Sequence, residues 1–148
     1  MTAATVETRA EAEIRNLIDA YAEAVRSKDV DRIVSHFSPD VVAFDAIAAL
    51  RFQGRDAYRA HWEMCMSMCS GPMMFEVHEL TVAARDDVAF GHYLCRCGGT
   101  GPDGEERSSW MRVTVGCRRI DGRWLIAHEH FSVPFDPASG KAMFDLQP

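Results

Sequence analysis

Asp121-Gly122-Arg123-Trp124-Leu125-Ile126-Ala127-His128-Glu129-His130-Phe131-Ser132 is the stretch that decides the fold class. Asp-Gly suits a two-residue type I′ turn, whose backbone matches the twist of paired strands, so a hairpin closes here. The residues after it read as a strand, along which side chains alternate between two faces. Trp124, Ile126, His128, His130 and Ser132 therefore share one side, and Leu125, Ala127, Glu129 and Phe131 share the other. Only one side can face a core, and alternation leaves open which.

Working upstream, β-favouring runs at 109–119, 88–97 and 74–83 are separated by turn signals at Gly98 to Gly104 and at Arg85-Asp86-Asp87. Before them the pattern changes period. Ile14, Leu17, Ile18, Tyr21, Ala22 and Val25 recur at three- and four-residue steps, which predicts a long amphipathic helix between Val6 and Val25. Asp29 can cap a short second helix through Ile33 and Val34 to Phe37, before Ser38-Pro39-Asp40 breaks it. Val41 to Asp45 reads as a strand. A third helix begins after Gly54, buries Tyr58, Trp62 and Cys65 or Met66, and ends at Ser70-Gly71-Pro72. Helices first and antiparallel strands afterwards predict an α+β fold with helices covering one face of a curved sheet.

The chain has 148 residues, 47% of them hydrophobic and 26% charged, enough for a single domain over residues 1–148 with one core. No run is long and apolar enough to span a bilayer, and Glu7 and Arg9 interrupt the start where a signal core would lie, so a cytoplasmic protein without membrane contact is expected. The net charge of −6 opposes binding to nucleic acid, which needs a concentrated basic surface. Five cysteines make an odd count, and reduced thiols are expected rather than a disulfide framework. Cys65, Met66, Met68 and Cys69 near Met73 and Met74 could form a soft Cu(I) site, but gap-filling in the core is the favoured reading. His128 and His130 lack a third ligand nearby in sequence, so no metal is expected there. No cofactor motif is present.

The element order, closing on Asp-Gly-x-Trp-x-Ile, resembles the nuclear-transport-factor-2-like superfamily, and the last segment is similar to its SnoaL-like and ketosteroid-isomerase-homologue members. The resemblance implies a cone-shaped fold of three N-terminal helices on a curved, mainly antiparallel sheet. It also implies a site. In the ketosteroid isomerases a catalytic aspartate ends the early strand nine residues before a helix-starting glycine, and Asp45 and Gly54 have that spacing. In the same register the isomerase's oxyanion-binding tyrosine falls on Tyr21, and two further pocket tyrosines fall on Trp62 and Phe37. The isomerase's protonated aspartate maps near Thr114 or Val115, neither of which is an acid.

The resemblance thus implies an Asp45 general base that moves a proton next to a carbonyl, as in an isomerase, an aldol-type cyclase or a dehydratase, with Tyr21 or His92 polarising the oxygen. It turns Ala127, Glu129 and Phe131 inward, making Glu129 a second pocket carboxyl, and it turns Phe90, His92 and Leu94 inward as well. Phe37, Trp62, Phe90, Val113, Val115 and Phe131 are then the walls around a small, apolar, carbonyl-containing ligand. Arg112 and Thr114 face outward. A homodimer is expected through the open sheet face, bearing Trp124 and Ile126. The rival reading is a non-catalytic ligand-binding or dimerisation domain, with Asp45 capping the next turn or paired to Arg51 or Arg55.

Overall fold

The computed structural model describes residues 5–148. Helix α1 spans Arg9–Arg26 and starts at Thr8, whose hydroxyl accepts from Glu11 N while the Glu11 carboxylate accepts from Thr8 N. This reciprocal box satisfies two donors that a helix start otherwise leaves unpaired. Ile14, Ile18, Tyr21, Ala22 and Val25 form its buried stripe. Helix α2, Val30–Ser35, is capped by the Asp29 side chain. It ends two residues before Phe37, which opens strand β1, Phe37–Phe44. The expected break at Ser38-Pro39-Asp40 is instead strand. Proline is accommodated because the pairing of β1 is irregular between Phe37 and Val42. A two-residue strand β2, Phe52–Gln53, folds back on β1 ahead of helix α3, Arg55–Ser67, which Gly54 admits at φ 87°.

Four long strands follow: β3 Ser70–Arg85, β4 Val88–Thr100, β5 Glu106–Ile120 and β6 Arg123–Ser132. The sheet order is β2-β1-β6-β5-β4-β3, antiparallel except where β1 lies parallel to β6. Asp121 and Gly122 both take positive φ in the β5–β6 turn, as a type I′ hairpin requires. The helices cover one face of the sheet, and Tyr93, Cys95, Val113, Val115, Cys117 and Phe131 join the core beneath them.

A bulge in β6 corrects the predicted faces of that strand. Gly116 pairs with His128 and Cys117 with Ile126, so Ala127 is an extra residue and the alternation shifts by one. Ile126 is fully buried among core residues, and Trp124 turns inward to donate from Nε1 to Glu13 of α1 at 2.9 Å. Neither lies on an open face. Beyond the bulge Glu129 and Phe131 also point inward, while His128 and His130 flank Phe44 on the outer side.

Strand β4 requires a second correction. Phe90 is 52% exposed and His92 is exposed too, so neither lines the interior. Directly opposed residues of an antiparallel pair share a face. Tyr93 opposes the inward Val113 and Gly91 opposes the inward Val115, whereas His92 opposes Thr114 on the outside. His92 therefore cannot polarise a ligand oxygen in the interior.

Candidate active site

Between α3, the inner face of the sheet and the end of α1 lies a cavity of about 390 Å³. Val25, Trp62, Met73, Phe75, Met111 and Phe131 make much of its apolar wall. Asp45 and Ser109 add polar groups, and Cys65, Cys69 and Cys97 add three thiols. Of the expected wall residues, Trp62 and Phe131 line this space; Phe37, Val113 and Val115 are core residues that do not.

Asp45 follows the last residue of β1, with its side chain 13% exposed. Its Oδ2 lies 3.2 Å from Nε2 of His61, and its Oδ1 accepts from Ile47 N at 3.3 Å. The carboxylate thus both closes a turn and faces an imidazole. Arg55 is directed elsewhere, with its guanidinium donating to the carbonyl of Phe37. His61 was not among the residues singled out in the sequence, although it sits three positions after Tyr58 on the buried stripe of α3. Its ring stacks on Phe52 with centroids 4.2 Å apart. Burial pulls its pKa down, but hydrogen bonds to Asp45 and Cys65 and the charge of Asp45 outweigh this and push it up to about 9. At neutral pH His61 is therefore an imidazolium beside Asp45.

Glu129 is fully buried, and its Oε2 accepts from the hydroxyls of Tyr58 at 2.7 Å and Tyr21 at 3.0 Å. Tyr21 and Glu129 are thereby joined, but the Tyr21 hydroxyl is engaged by the acid and not directed at the cavity. Burial is the dominant influence on Glu129 and raises its pKa to about 8; the tyrosine hydrogen bonds pull the other way, and Asp45 adds a further rise. The acid is therefore neutral at pH 7. Its Oε1 and the hydroxyl of Tyr93 are buried without a protein partner. All three tyrosines of the chain are buried, and burial, followed by Glu129, raises the pKa of each. Tyr58 and Tyr93 were missed as polar members because apolar periodicity marks them only as core.

The histidines of β6 lie outside this site. His128 Nδ1 is 2.6 Å from the carbonyl of Val42, and no cluster of three or more His, Cys, Asp or Glu suited to a metal occurs among the described residues.

Three helices on a mainly antiparallel sheet, with an acid-bearing cavity between them, define the nuclear-transport-factor-2-like class of α+β proteins. The chain belongs to the SnoaL-like domain family, whose model matches residues 14–136. It is similar to an NTF2-like protein of unknown function from Pseudomonas putida KT2440, with 53% identity, a TM-score of 0.89, and coverage of 96% of this chain and 99% of that one. A ketosteroid isomerase-like protein from Erwinia carotovora atroseptica shares the fold at 18% identity and a TM-score of 0.73, covering 85% of this chain and 97% of that one. An NTF2-like protein with a cystatin-like fold from Novosphingobium aromaticivorans does so at 18% identity and a TM-score of 0.70, covering 88% and 86%. No curated protein matches the chain. No described helix is long and apolar enough to cross a membrane.

Proposed function

We propose that this protein is an enzyme that moves a proton next to the carbonyl of a small, largely apolar ligand, as an isomerase, an aldol-type cyclase or a dehydratase does, with Asp45 as general base. The observation that carries the reading is the Asp45 carboxylate on the wall of the apolar cavity, held in place by His61 at 3.2 Å. A base must reach the proton it removes in a fixed geometry, and a buried imidazole bonded to one oxygen supplies that fixity. The imidazolium also offsets charge as Asp45 cycles between its two forms. Glu129, expected as a second pocket carboxyl, is instead fully buried behind the cavity wall with Tyr21 and Tyr58, so the acid that faces Asp45 is the His61 imidazolium.

No cofactor is invoked, because the named side chains supply both acid and base. A second copy of the chain is the partner we propose, docked on the outer sheet face where Phe44, Val88 and Phe90 are exposed.

The test is incorporation of deuterium from D2O at the α carbon of cyclohexanone, followed by NMR. Asp45→Asn keeps the volume and removes the base, so the catalysed rate should fall roughly a hundredfold to ten-thousandfold. Exchange that persists in a folded Asp45→Asn protein, together with a lower melting temperature, would make Asp45 a turn residue and favour the ligand-binding reading.

A further inference from the structure

We propose that Cys65 is a nucleophilic thiol that captures α,β-unsaturated carbonyl compounds entering the cavity, holding them as covalent thioethers. Cys65 lies one helical turn after His61, so both side chains emerge on the same side of α3. Its Sγ is 3.7 Å from His61 Nε2, the nitrogen that also faces Asp45 Oδ2 at 3.2 Å. Thiol and carboxylate thus share one imidazole nitrogen at the wall of the cavity, and the imidazolium sets a positive charge beside the sulfur that attacks. Cys65 is half-buried, open enough to meet a ligand.

The other four thiols lack this setting. Cys95 and Cys117 are buried in the sheet, and burial pushes Cys117 up to about 12. Cys69 and Cys97 line the cavity, but among the described residues no imidazole hydrogen-bonds to either, as His61 does to Cys65. A hydrogen bond from Cys95 lowers the pKa of Cys97, which makes it the competitor to be measured.

The step balances without another reagent. Sγ forms a bond to the β carbon, the carbon–carbon π bond breaks and its electrons pass to the enolate. The His61 imidazolium delivers a proton to the α carbon, and the proton that Sγ gives up restores the imidazolium. The product is a saturated ketone joined to the protein by a thioether. The apolar wall favours an enone whose remaining surface is hydrocarbon.

The experiment is native protein with cyclohexenone at neutral pH, followed by intact mass and peptide mapping, with glutathione as the reference thiol. A single adduct on Cys65, formed roughly tenfold or more faster than the glutathione adduct, is expected from positioning in the cavity. Cys65→Ser should abolish it, and His61→Gln should slow it about tenfold. If circular dichroism shows His61→Gln unfolded, Asp45→Asn is read in its place with the same expectation. First labelling of Cys69 or Cys97 would overturn the proposal, as would a Cys65 rate no faster than glutathione or unchanged by the His61 or Asp45 variant. The inference goes beyond proton transfer and requires no turnover. Wild-type protein that fails to exchange cyclohexanone but forms the adduct would refute the enzymatic reading alone.

Discussion

Glu129→Gln should remove a large pH dependence of stability and make the protein more resistant to unfolding at alkaline pH. The carboxyl is fully buried and its pKa is raised from 4.5 to about 8, so the folded state holds a proton that the unfolded chain releases above pH 4.5. Between those values the native state binds more protons, and stability falls as pH rises. The stabilisation is fully present below pH 4.5 and is lost on passing through about 8. At about 1.4 kcal/mol per pH unit, the loss across that window is on the order of 5 kcal/mol. Glutamine is nearly isosteric with the neutral acid. Its carbonyl oxygen can accept from Tyr21 and Tyr58 as Oε2 does, and its amide cannot ionise. Urea unfolding followed by tryptophan fluorescence, at pH values from 4.5 to 9, gives the two curves. His61, held up to about 9 by its partners, adds its own decline from pH 6.5 to 9, but does so in both proteins. The difference between the curves therefore isolates Glu129. It should be near zero at pH 4.5 and grow to several kcal/mol by pH 9. Parallel curves would refute the reasoning and show that water or backbone movement satisfies the ionised carboxyl in the folded state.

Two further expectations concern the corrected strand faces. Ile126→Ala should cost about 2–5 kcal/mol in urea unfolding, because Ile126 is fully buried behind the bulge; a change near zero would mean the side chain is not core. Phe90→Asp should split a dimer without unfolding the chain, since Phe90 is 52% exposed on the outer face. Light scattering gives the answer, and wild-type protein that is already a 16.6 kDa monomer at micromolar concentration rules the dimer out.

The sequence by itself determined what depends on neighbours along the chain. The stripe of α1, the Asp29 cap, Gly54 ahead of α3 and the Asp121-Gly122 turn are all set by local backbone and spacing preferences, and the structure has each of them. With the closing strand they were enough for the class of fold. The partners of Asp45 and Glu129 were another matter, because they are fixed by contacts between elements far apart in sequence. Tyr21 reaches Glu129 across 108 positions, and His61 meets Asp45 only once α3 packs beside the end of β1. Alternation says which residues share a face, but not which face is inside. One extra residue at Ala127 moved Trp124 and Ile126 to the core side together with Glu129 and Phe131. Pairing of β4 with β5 likewise sent His92 outward with Thr114 and Tyr93 inward with Val113. A one-residue change of register reverses every side chain beyond it, and the hydrogen bonds that set the register exist only in the assembled sheet.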